Sequence, residues 1–182
     1  MAHKAEAGEQ TKTYEEHVRE GWLLQASGDI EGAIAAYVNA INERGDQPAH
    51  FGLFLNLANC FRHQALTTDE PRMREDFFSM AGVQYARSLR AAKDDDKSCG
   101  QILVERSKLF YESGEVIQAS QDILAALRLA SGLKGKESAK LFNEVFKIID
   151  PDHLETIPVQ DTEVSEEFIL PDFLPDAIPN YL

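Results

Sequence analysis

The chain has 182 residues, 43% of them apolar, which is enough for one domain or a short repeat array with a real core. Its formal charge of -13 sets it against nucleic-acid phosphates and anionic membrane surfaces, so neither is expected as a general partner. Cys60 and Cys99 form no CxxC pattern, residues 1–12 carry no apolar signal core, and no stretch approaches the ~18 apolar residues of a membrane span, so the reading is two free thiols in a cytoplasmic protein.

Taken in chain order, residues 1–12 are polar, of mixed charge, and expected to be flexible. Thr13-Tyr14-Glu15-Glu16 has the spacing of a capping box and predicts a helix from Tyr14. Val18, Trp22, Leu24 and Ala26 follow at helical spacing. Gly28 stops that helix and Asp29 caps the next, which carries Ile30, Ala33, Ile34, Tyr37, Ala40 and Ile41 at steps of three and four. Gly45 and Pro48 end it. The short Ser27-Gly28-Asp29 joint makes the two an antiparallel hairpin. A third helix is predicted over about 49–65, with Phe51, Phe54, Leu55, Leu57, Ala58 and Phe61. Asp69-Glu70-Pro71 reads as a cap with proline in the first turn, opening a long helix to about residue 92. Asp94-Asp95-Asp96 caps a fifth helix over about 97–113. Three adjacent carboxylates before a helix point in different directions, so this run reads as a solvated cap rather than a metal site. Gly114 separates a sixth helix, about 115–131, and a seventh covers about 136–149 with Leu141, Phe142, Val145, Phe146, Ile148 and Ile149. Nothing alternates for long enough to be a strand, so the fold class is all-α.

The helices repeat. Ala33, Tyr37 and Ala40 recur as Ala81, Tyr85 and Ser88, and again as Ala119, Ile123 and Ala126. Before each set stands a first helix with its own marks: Gly21 and Leu24, then Leu57, Ala58 and Phe61, then Ser107 and Phe110. Small residues let two helix axes approach and the aromatic fills the adjoining hole. This pattern resembles the tetratricopeptide repeat, over about residues 14–131. It departs from that family at His17, where a tryptophan is usual, in lacking the closing prolines, and in spacings of 48 and 38 residues between the leading alanines. The excess sits at Thr67 to Phe77. The resemblance implies three hairpins, about 14–47, 49–93 and 97–131, stacked as a short right-handed solenoid, with 136–149 capping the open end, so that 13–150 form one helical domain.

The family presents a concave face built from the first helix of each pair. Carried over, that places Val18, Trp22 and Gln25, then Leu55, Asn59, Arg62 and His63, then Gln101, Val104, Lys108 and Tyr111 in a partner-binding groove. Trp, Tyr and Arg are common interface anchors, and Arg62 with Lys108 would suit an acidic or aromatic peptide. Trp22 reads equally well as core, and the two cations read more readily as solvated surface charge. Family members that hold acidic chaperone C-termini use a Lys, Asn and Arg clamp; the matching positions are Val18, Trp22, Asn56, Gln101 and Glu105, of which only Asn56 fits, so no such clamp is expected.

Composition changes at Pro151. Residues 151–182 hold eight acids, no Lys or Arg, and five of the seven prolines. Residues 151–165 read as a linker. Residues 166–182 are rich in apolar groups, among them Phe168, Leu170, Phe173, Leu174, Ile178 and Tyr181, and repeat a tetrapeptide: Leu170-Pro171-Asp172-Phe173, Leu174-Pro175-Asp176-Ala177, Ile178-Pro179-Asn180-Tyr181. Prolines at this spacing exclude a regular helix and favour extended geometry. The tail is expected either to fold back on the body or to be offered to another protein.

No phosphate-loop, dinucleotide, zinc-protease or nucleophile-elbow motif occurs. The sequence therefore reads as an adaptor or scaffold that binds a peptide or helix of a protein partner, with its tail as a candidate regulator, and with no enzymatic activity, cofactor or metal. The alternative is a chaperone for secreted or aggregation-prone clients, similar to the type III secretion chaperones.

Overall fold

A computed structural model describes residues 12–45 and 49–149; the expectations for residues 1–11, the tail motif of 166–182 and the side chains of Phe146 and Ile149 lie outside the described residues. Among the described residues there are seven helices and no strands: α1 (Tyr14–Ser27), α2 (Ile30–Arg44), α3 (Phe51–Thr67), α4 (Pro71–Ala91), α5 (Asp96–Glu112), α6 (Val116–Gly132) and α7 (Gly135–Ile149).

The helix ends are set by local chemistry. Thr13 Oγ1 accepts the Glu16 amide at 3.3 Å and the Glu16 carboxylate accepts the Thr13 amide at 2.7 Å, which satisfies two amides that have no partner inside the helix. Gly28 adopts φ +86° and returns its amide to the last turn of α1; Gly114 repeats that φ between α5 and α6. Both are sharp joints only a residue without a β-carbon makes cheaply. Of the three aspartates before α5 it is Asp95 that caps, accepting the Ser98 amide and hydroxyl at 3.2 and 2.6 Å. Pro71 takes the first position of α4, but Glu70 makes no side-chain cap bond, so this start rests on the fixed φ of proline alone. The third helix lies two residues later than its apolar pattern suggested. The excess length around Thr67 to Phe77 enters the end of α3 and the start of α4, which reaches 21 residues against 15 in α2 and 17 in α6.

Packing is most extensive within α1–α2, α3–α4 and α5–α6, and every helix touches only helices one or two places along the chain. Between pairs, α2 meets α3 and α4 meets α5, while α1, α3, α5 and α7 touch in succession. Three apolar clusters fill these seams. Tyr37 and Leu57 centre the first, Tyr85 and Ile102 the second, and Leu141, Phe142 and Val145 close the third against α5 and α6. The small residues at the crossings are buried: Ala33, Ala81 and Ala119, then Ala40, Ser88 and Ala126. Ser88 keeps its hydroxyl satisfied by donating to the Phe51 carbonyl at 2.9 Å.

Candidate interaction surfaces

Two tyrosines organise the first helices of the pairs. Tyr37 and Tyr85 are wholly buried, each on the second helix of its pair. The Tyr37 hydroxyl donates to Gln25 Oε1 on α1 at 2.9 Å, and the Tyr85 hydroxyl to Asn59 Oδ1 on α3 at 2.5 Å. Beyond Asn59 lies Arg62, whose guanidinium holds Glu112 of α5 through two bonds of 2.6 and 2.7 Å and reaches Glu105 at 3.3 Å. Lys108 bonds the other oxygen of Glu105 at 2.6 Å. A polar seam thus runs from α3 to α5, and desolvation shapes its titration. Burial pushes the Tyr37 phenol up to about 12 and the Cys60 thiol up to about 11, and pushes Tyr85 further in the same direction. The hydrogen bonds that Arg62 donates to Glu112 hold its guanidinium protonated far beyond its ordinary range.

The eleven residues expected to line a groove separate into distinct roles. Trp22 and Tyr111 stand 59% and 67% exposed, on α1 and α5. His63 is also exposed, and Gln101 is half-buried. Gln25 accepts from Tyr37 on α2, and Asn59 and Arg62 belong to the polar seam. Val18 and Leu55 are half-buried against the first two clusters. Two features differ from an open, freely charged groove. Val104 is 2% exposed, because α7 lies over that face of α5 and draws it into the third cluster. Arg62 and Lys108 do not offer free positive charge to an acidic peptide, because Glu105 and Glu112 neutralise them.

Sequence reasoning named part of one further surface, through Leu55, Gln101 and Val104, and missed another. A cleft of about 550 Å³ opens between α3, α5 and α7, within the roughly 300–1,000 Å³ common for binding clefts. Leu55, Val104 and Leu141 line it together with Gln101, and Lys97, Lys136 and Lys140 stand among its polar lining. The readable signal was charge: residues 133–149 hold four lysines and two glutamates in an otherwise acidic chain. The second surface is a row on α4, where Met73, Met80 and Val83 are exposed at helical spacing.

Among the described residues no three His, Cys, Asp or Glu side chains gather as a metal cluster, and no described helix is long and apolar enough to cross a membrane. Both cysteines are free thiols. Fold and surfaces together define an all-α protein of paired helices with an exposed aromatic on its first and fifth helices. Compared with known proteins, the chain matches no family model, no curated protein and no solved structure.

Proposed function

We propose that this chain is a protein-interaction module of the tetratricopeptide kind: three stacked helix hairpins with α7 as cap, binding a peptide or helix of a partner protein across α1, α3 and α5. The observation that carries the reading is the pair Trp22 and Tyr111, large aromatics left in solvent on two of the helices that touch in succession. Exposed aromatics are what a recognition face needs, because they are rigid anchors that lose little side-chain entropy. The repeat reading is supported by the buried small residues at all three crossings, by the equivalent tyrosines of the first two pairs, and by contacts limited to near neighbours along the chain. No chemistry is assigned to the chain in this reading.

Trp22 is the only tryptophan, so its emission reports on this face directly. Peptides selected on the full chain should shift Trp22 emission to the blue, and Trp22→Ala or Tyr111→Ala should weaken their binding by about 2 kcal/mol or more, roughly thirtyfold. Binders that leave the emission unchanged and tolerate both substitutions would sink the proposal. A second reading, a chaperone holding an apolar client, is favoured by the exposed Met73, Met80 and Val83 row on α4, since flexible thioethers adapt to varied partners. It requires that Met80→Glu abolish the solubility of a co-expressed client while Trp22→Ala does not.

A further inference from the structure

The cleft between α3, α5 and α7 has an apolar floor of Leu55, Val104 and Leu141. Its rim holds three lysines and three glutamates, which cancel on paper. They do not cancel in space, because each glutamate already has a cation. Lys97 holds Glu137 at 2.5 Å, Lys108 and Arg62 hold Glu105 at 2.6 and 3.3 Å, and Lys147 holds Glu144 at 2.9 Å. Lys140 is exposed and pairs with no acid among the described residues. The rim is therefore left with positive field, most of it at Lys140. An apolar floor under a cationic rim selects large apolar side chains that carry carboxylates beside them.

We propose that the occupant is the chain's own segment 166–182. Its repeated tetrapeptides set Asp172 two residues after Leu170 and beside Phe173, and Asp176 two residues after Leu174. The whole of 151–182 has eight acids and no Lys or Arg, which complements the rim. Leu170 and Phe173 fill the floor, and Asp172 and Asp176 meet Lys140. Reach is sufficient. Lys140 lies nine residues before Ile149 on α7, about 14 Å back along the helix. Sixteen residues, 150–165, separate segment 166–182 from α7, and a flexible chain of that length would span roughly 22 Å r.m.s.. A tether of that length gives an effective concentration on the order of mM, so a contact too weak to hold a separate peptide is still populated here. A protein partner for this cleft must first displace the tail. The site shares α3 and α5 with the proposed recognition face but is lined by neither Trp22 nor Tyr111.

The test is an amide NMR comparison of the full chain with its Leu170→Asp/Phe173→Asp variant, which changes no residue of the described core. The expected result is shifts at the cleft amides of Gln101, Val104 and Lys140 that do not vary with protein concentration, and their reproduction by Lys140→Glu. Unchanged cleft amides overturn the proposal. So do shifts centred on Trp22 and Tyr111, which would put the tail at those aromatics, and shifts that grow with concentration, which would make the occupant a second copy. Unchanged cleft amides leave peptide binding at Trp22 untouched, and peptides that bypass Trp22 leave the cleft result untouched, so the two readings fail separately.

Discussion

The ring of Tyr37 lies directly against the backbone of Gly21, so near that a β-carbon there would sit 2.6 Å from the ring. Glycine in a helix interior is unfavourable by itself, and its presence mid-α1 is explained by this contact. Two effects oppose each other in Gly21→Ala. The helix gains up to about 1 kcal/mol in propensity, while forcing a buried ring aside costs about 1–3 kcal/mol. Overpacking wins, because Tyr37 is wholly buried and cannot retreat. A net loss of about 1–2 kcal/mol is expected in urea unfolding at unchanged m-value. A more stable variant would mean that α1 and α2 slide apart freely.

The first helices of the second and third pairs are joined by charge. The Arg62, Glu105 and Glu112 side chains are 19%, 28% and 23% exposed, so the pairing is partly screened. Arg62→Ala leaves two glutamates without this partner and should cost about 1–3 kcal/mol, below the figure for a fully buried pair. The Arg62→Ala/Glu112→Ala cycle should return a coupling of about 1–2 kcal/mol. Additive single losses would show that the two bonds contribute nothing beyond their own burial.

Alkaline unfolding has a defined window. The folded values of the Cys60 thiol and the Tyr37 phenol are raised by burial to about 11 and about 12. A raised folded value means that the native state keeps protons the unfolded chain has lost. This stability is complete below the unfolded values, near 8.5 for Cys and 10 for Tyr, and is lost as pH rises through the folded ones. Unfolding free energy should fall between pH ~9 and ~12. Tyr37→Phe should remove its share of the upper part of that slope and leave the share of Tyr85. A tyrosinate absorbance from Tyr37 complete by pH ~10 in the folded protein would contradict the burial of its hydroxyl.

Gly100 of α5 plays for α7 the role that Gly21 plays for α2. A β-carbon at Gly100 would collide with the Leu141 side chain. Leu141 is the far end of a flexible residue, so the clash can be relieved by moving α7 rather than by unfolding the body. Gly100→Ala should therefore speed amide exchange selectively in α7, with α1 to α4 unchanged. Uniform acceleration in all seven helices would instead make α7 part of one cooperative unit.

What could be read in the sequence was local. Thr13, Gly28, Asp29, Pro71, Asp95 and Gly114 place the helix ends, because caps and joints depend on residues within four positions of one another. The small residues at 33, 81 and 119 were legible as crossings because burial of a small side chain leaves a periodic trace. The charge state of the candidate face was not legible. Arg62 and Glu112 are fifty residues apart, and nothing in their neighbourhoods distinguishes a neutralised arginine from a free one. The burial of Val104 was not legible for a similar reason. Its exposure is decided by α7, which arrives from more than thirty residues away. Trp22, ambiguous as core or surface in sequence, is settled by its exposure.

Contacts confined to near neighbours have a mechanical meaning. No described helix is clamped by another more than two places away, so a pull on α1 and α7 finds no long-range seam that must shear as a whole. Tension would pass through the α1–α2, α3–α4 and α5–α6 seams in series, and each would open by peeling. Extension should thus proceed as a staircase of small yields at low force, with α7 and the α3–α5 charge link deciding which step comes last.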